Sequence, residues 1–111
     1  MKKYDIIVVG AGAAGVFISY EFARRGIDAS VLVIDKGNVL EKRVCPIKKG
    51  AGSCIKCDIC SIMNGYGGAG TLSDGKYNIT TQFGGYLHRY VVVDKAMELM
   101  EYVDEVLCSM G

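Results

Sequence analysis

The chain has 111 residues, half of them apolar, and a formal net charge of +1. That length allows one domain with a modest core. So even a charge balance excludes the basic surface of a nucleic-acid binder and gives no electrostatic case for an acidic partner.

The first predicted elements fall in residues 4–35. Ile6–Val9 reads as an apolar strand that runs into Gly10-x-Gly12-x-x-Gly15. A helical pattern continues to Gly26, and a second apolar strand, Val31–Ile34, ends on Asp35. This order is that of a dinucleotide-binding βαβ unit, and each part has a physical reason. Gly10 permits a tight turn off the strand, Gly12 lets a pyrophosphate approach the backbone, and Gly15 lets the helix pack close to the sheet. The start of the helix, at Ala13 and Ala14, offers unpaired N–H groups and partial positive charge to a diphosphate. Asp35 stands twenty residues beyond Gly15, where a carboxylate accepts hydrogen bonds from ribose hydroxyls, and Lys36 adjoins it. A carboxylate there also disfavours a ribose bearing a 2′-phosphate. The plainer alternative is a βαβ turn that uses its glycines for packing alone. Ser19 occupies a helix position where a small apolar residue is usual, and it is small enough to pack.

Residues 36–64 form a cysteine- and lysine-rich insertion. Cys54-x-x-Cys57-x-x-Cys60 repeats one spacing, and Cys45-Pro46 lies upstream. Four such thiolates have the composition of an iron–sulfur ligand set, with the Cys-Pro element preceding the triplet instead of following it. Zinc also accepts four thiolates, and redox or buried thiols without metal are the third reading. Lys48, Lys49 and Lys56 are expected to favour the thiolate form in each case. Closely spaced cysteines in a chain with no evident cleavable leader predict a cytoplasmic setting in which they serve redox or metal chemistry. Lys2 and Lys3 precede an apolar run, but Asp5 and the strand pattern argue against a signal peptide. The longest apolar stretch, Ile6–Tyr20, is interrupted by glycines and too short to span a membrane.

Residues 65–90 are glycine-rich. The run from Asn64 to Lys76 is too dense in glycine for a helix or strand interior, and its N–H groups suit an anion or a planar ring. Thr71 and Ser73 add hydroxyl donors, and Lys76 adds charge. A surface linker is the plain alternative. His88, the one histidine, is placed equally well at the surface or near a cofactor as an acid or base. Tyr90–Val93 is compatible with a short strand. Residues 94–109 then predict an amphipathic helix with Asp94 as N-cap and Met97, Met100, Val103 or Tyr102, Val106 and Leu107 at helical spacing. Those methionines read as packing residues, as does Cys108.

Taken together, these motifs resemble the N-terminal piece of an FAD-dependent oxidoreductase of the group related to glutathione reductase. Arg43-x-Cys45-Pro46, the cysteine triplet, Gly65-x-Gly67-Gly68-Ala69-Gly70-x-x-Ser73-Asp74-Gly75-Lys76 and Gly84-Gly85 are similar to FAD-dependent dehydrogenases found in many anaerobic bacteria. The resemblance implies an α/β, Rossmann-like FAD/NAD(P)-binding unit, incomplete at its C-terminus and belonging to a longer protein. It implies that Gly10, Gly12, Ala13, Ala14 and Gly15 hold the FAD pyrophosphate and that Asp35 and Lys36 meet the adenosine ribose. Gly67, Gly68, Ala69, Gly70 and Ser73 would lie by the pyrophosphate and isoalloxazine. It names no substrate and no catalytic base. An NAD-binding dehydrogenase fragment and a small iron–sulfur or zinc electron-transfer module stand as alternatives, and an inactive truncated reading frame is a further one.

Overall fold

The computed structural model describes the chain except for residues 51, 74, 75 and 83 and the side chain of Lys49. The motif residues Asp74 and Gly75, and the proposed influence of Lys49 on the thiols, therefore lie outside the described residues. Two compact units are present, Met1–Asp74 and Gly75–Gly111.

The first unit is a Rossmann-like α/β start. Strand β1 (Ile6–Val9) leads into helix α1 (Ala13–Arg24), which returns the chain to strand β2 (Val31–Ile34). The strands pair in parallel, with Ile6 opposite Val31 and Val9 opposite Ile34. β-Branched residues dominate both strands, as a pleated, packed surface favours. Asp5 and Ser30 lock the strand starts together: the Ser30 N–H donates to Asp5 Oδ2 at 2.8 Å, and the Asp5 and Ile6 N–H groups donate to the Ser30 carbonyl at 3.0 and 3.1 Å.

Helix α1 lies close against β1 because Gly15 has no side chain. A Cβ there would overlap the Gly10 carbonyl and lie 3.4 Å from Val8 Cγ1. Ser19, the unusual polar residue on this helix, donates its hydroxyl to the Gly15 carbonyl at 2.8 Å and so carries no unsatisfied group inward. The helix stops where Gly26 takes φ +61, and Arg24 and Arg25 in its last turn and cap pair with Glu21 at 2.8–2.9 Å. The opposite face of the sheet is open: Ile7, Val9 and Ile34 are 59, 81 and 44% exposed.

Beyond β2 the chain has no further strand among the described residues. Among the described residues of this unit, 3-10 turns follow at Leu40–Lys42, Pro46–Lys49 and Ala69–Leu72. The last lies inside the glycine-dense run from Asn64 to Lys76, which otherwise holds no helix or strand among its described residues.

The second unit holds a 3-10 turn at Leu87–Arg89 and helix α2 (Val93–Met110). Tyr90–Val93 is not a strand, because Tyr90 and Val91 donate their N–H groups back to the Leu87 carbonyl at 3.0 Å and close a turn. The N-cap is Val92 and not Asp94, which sits in the first turn, where its charge still complements the helix dipole. The buried face centres on Ala96 and Val106, whereas Leu107 of the expected stripe is 49% exposed.

Candidate functional site

The Gly10–Gly15 turn, the end of β2 and the segment Met63–Gly68 enclose a crevice of about 480 Å³. Its walls are Val9, Gly10 and Gly12 on one side and Ile34, Asp35 and Lys36 at the strand end, with Met63, Asn64, Gly65 and Gly68 opposite. Gly10 turns the chain off β1 at φ +100, and its N–H donates to the Ile34 carbonyl at 2.7 Å. Gly12 precedes α1 with no side-chain cap, and the first turn of that helix carries no acidic residue. Its N–H groups are therefore available to an anion.

Asp35 does more than close the strand. Ala11 N–H donates to its Oδ2 at 2.8 Å, while Gly37 N–H and Gly65 N–H donate to its Oδ1 at 2.7 and 2.9 Å. One carboxylate thus ties the first glycine turn, its own turn and the distant glycine tract to a single point. These bonds, Gly37 first and Ala11 next, hold its carboxyl below the usual carboxylate range, with Gly65 and the Lys36 charge adding to the effect.

The glycine tract reaches the first turn directly. Gly67 N–H donates to the Ala11 carbonyl at 2.8 Å, and Tyr66 N–H to that of Asn38 at 3.2 Å. A Cβ on Gly68 would lie 3.2 Å from Gly12 Cα, so glycine at both positions permits the approach. Gly37 packs against the peptide joining Asn64 to Gly65 more closely still, where a Cβ would lie 2.5 Å from the Asn64 carbonyl carbon.

Arg43 underpins this wall. It is 7% exposed, and its guanidinium donates to the carbonyls of Ser61 at 2.9 Å, Tyr66 at 2.7 Å and Ile62 at 2.7 Å. The loop carrying Met63, Asn64 and Gly65 is thereby fixed from behind.

Of the residues expected at a cofactor, Gly10, Gly12, Asp35, Lys36 and Gly68 line the crevice. Ala13, Ala14 and Gly15 form the first turn of α1, and Gly67 bridges to Ala11. Ala69 and Gly70 belong to the 3-10 turn with Ser73 as its C-cap; all three are exposed and outside the crevice lining. Met63 and Gly37 carry no expectation from the sequence, Arg43 entered only as a motif residue, and Asn64 and Gly65 as part of the anion-suited run. Their signals were faint: a glycine two residues beyond the strand-end acid, and an arginine in an otherwise lysine-rich segment.

The cysteines do not assemble. Among the described residues, no group of three or more His, Cys, Asp or Glu side chains is arranged to hold a metal ion, and Cys45, Cys54, Cys57 and Cys60 are all free thiols. Regular spacing fixes separation along the chain, not convergence, and the run through Lys56, at φ +54, has no regular element to turn the sulfurs inward. Cys60 is nonetheless distinctive. Backbone N–H groups of Met63 and then Ile62 hold its thiol below the ordinary range, with a further pull from the Arg43 charge. Lys48 and Lys56 are not among the causes.

Residues 8–42 match the family described as NAD(P)-binding Rossmann-like domain. An uncharacterized protein of Methanosarcina barkeri (strain Fusaro / DSM 804) is 53% identical over 36 residues, which are 32% of this chain and 9% of that protein. The chain thus matches less than a tenth of this relative's length. No solved structure matches. The βαβ start is Rossmann-like in its parallel β1–α1–β2 order and in the family model it matches. No helix among the described residues is long and apolar enough to cross a membrane.

Proposed function

We propose that this chain is the FAD-binding N-terminal part of a flavin-dependent oxidoreductase. The observation that carries the reading is the return of the glycine tract onto the dinucleotide turn, with Gly68 against Gly12 and Gly65 bonded to Asp35. A second glycine-lined wall facing the first makes a cradle that side chains would fill. It suits a long extended dinucleotide better than a βαβ unit followed directly by another repeat. The resemblance of the linked cysteine and glycine motifs to FAD-dependent dehydrogenases supports the same choice.

In this reading Gly10, Gly12 and the first-turn N–H groups of Ala13, Ala14 and Gly15 hold the pyrophosphate. A carboxylate has about four acceptor positions, and three backbone N–H groups already occupy Asp35, which leaves capacity for one ribose hydroxyl. Lys36 lines the same end of the crevice and adds positive charge. FAD, when bound, supplies the redox chemistry, and the protein supplies position and electrostatics. The open sheet face at Ile7, Val9 and Ile34 is the face that parallel sheets normally cover, which supports a longer polypeptide as the working enzyme.

The test is titration of the chain with FAD, followed by flavin fluorescence and anisotropy, with NAD as competitor. Saturable FAD binding that NAD displaces poorly supports the reading. Binding of NAD without FAD replaces it with a nicotinamide enzyme, to which the matched family description is equally suited. Binding of neither removes it.

A further inference from the structure

Among the described residues, Arg43 is the one charged side chain that is buried. No carboxylate among those residues pairs with it. Its partners are the three neutral carbonyls of Ser61, Ile62 and Tyr66. A buried cation balanced only by dipoles is costly to keep, and packing of a loop does not by itself require a charge. Little water screens its field, and the carboxylate bonded to this loop, Asp35, makes no ion pair with it but accepts from the Gly65 N–H on the loop's other side at 2.9 Å.

The location gives that field a target. Arg43 Cδ lies against Gly65, since a Cβ on that glycine would come within 2.9 Å of it. Gly65 is a crevice wall, and Tyr66, whose carbonyl Arg43 holds, is followed by Gly67 bonded to Ala11 at 2.8 Å. The charge therefore sits directly behind the wall that faces the Gly10–Gly12 turn. From the other side, the uncapped N-terminus of α1 contributes partial positive charge.

We propose that Arg43 is a positioning residue that also serves as the built-in cation of the crevice. It fixes the Ser61–Tyr66 wall and raises affinity for the diphosphate of a nucleotide from behind that wall, without touching it. This rests on the dinucleotide reading but not on FAD, because FAD and NAD share the adenosine diphosphate moiety. A purely structural Arg43 would affect all ligands of the crevice alike. An electrostatic one discriminates between charged and neutral ligands.

The test compares ADP with adenosine by calorimetric titration of the native chain, Arg43→Met and Arg43→Lys. Arg43→Met is expected to weaken ADP about tenfold or more and adenosine less than about threefold, the difference between them growing as salt is lowered. Arg43→Lys keeps the charge but cannot span three carbonyls, so it loses affinity for both ligands to a similar degree while retaining the native preference for ADP. If Arg43→Met fails to fold, Arg43→Gln, which removes the charge and keeps an amide donor for the carbonyls, replaces it with the same expected selective loss of ADP. Equal losses for ADP and adenosine in Arg43→Met, an ADP preference lost in Arg43→Lys, or a native chain that binds neither ligand overturns the proposal. Native binding of ADP with this dependence but without binding of FAD leaves it standing and removes the FAD reading instead.

Discussion

Gly37→Ala is the sharpest probe of how the crevice is built. A Cβ at this position would lie 2.5 Å from the Asn64 carbonyl carbon and 2.7 Å from Gly65 Cα, and closer still to the Gly65 nitrogen. Carbon atoms in contact ordinarily stand about 3.5–4.0 Å apart, so the two backbone segments must separate by about 1 Å. Every clashing atom is main chain, and no rotamer change relieves it. Overpacking of this kind costs about 1–3 kcal/mol. Separation also breaks the Tyr66 N–H bond to the Asn38 carbonyl, now 3.2 Å, for about 1 kcal/mol more. The sum is about 2–4 kcal/mol, a large share of the roughly 5–15 kcal/mol that holds an ordinary domain together. Gly70→Ala is the control: nothing lies within 4 Å of its Cβ, and its φ is not in the left-handed region. It is expected to be neutral or stabilising by up to about 1 kcal/mol. Native-state hydrogen exchange on peptides covering Gly10–Val16 and Gly65–Gly68 reads the difference. Exchange there should accelerate about thirtyfold to a thousandfold in Gly37→Ala and stay unchanged or slow in Gly70→Ala. Equal exchange in the two variants would refute the claim that the β2 turn and the glycine tract are in close contact.

Three further outcomes follow from the same geometry. The native pKa of Asp35 is depressed, so its anchoring of Ala11, Gly37 and Gly65 is complete above the unfolded value of about 3.9 and lost as pH falls through the lower native value. Protection of those amides, corrected for intrinsic exchange, should hold from pH 7 to pH 5 and disappear only in stronger acid, and Asp35→Asn should lower it at every pH; loss near neutrality would contradict the assignment. Cys60 should react with iodoacetamide with a midpoint below the value of about 8.5 for a free cysteine, and Arg43→Met should raise that midpoint. A profile matching free cysteine would show that the Met63 and Ile62 N–H groups do not support its thiolate. Gly68→Ala combines a strained φ of +63 with a Cβ 3.2 Å from Gly12 Cα, and should weaken ADP binding while leaving the α1 helix signal in far-UV circular dichroism intact. Unchanged ADP affinity would place the nucleotide elsewhere.

Legibility along this chain follows contact range. The strands Ile6–Val9 and Val31–Ile34 were readable to the residue, and the helix between them in place though it closes at Arg24 before Gly26, because apolar periodicity and glycine spacing are local signals that agree with one another. Asp35 was readable as a crevice acid, but its bond to Gly65, thirty residues away, was not. Arg43 illustrates why the rest was hidden. Its three acceptors are main-chain carbonyls 18 to 23 residues downstream, and carbonyls leave no trace in side-chain identity. The cysteine triplet is the opposite case: its side-chain pattern is conspicuous, yet among the described residues no group of three or more His, Cys, Asp or Glu side chains is arranged to hold a metal ion. The glycines at 65 and 68 share one physical role, letting main chain meet main chain around a space that stays open. That role also explains why a segment with no strand and only single helical turns still has a defined path. Its order comes from Asp35 on one side and Arg43 on the other, an anion gathering N–H groups and a cation gathering carbonyls. The two charges organise opposite surfaces of the same loop, so the crevice wall is set by electrostatics where hydrophobic burial is scarce.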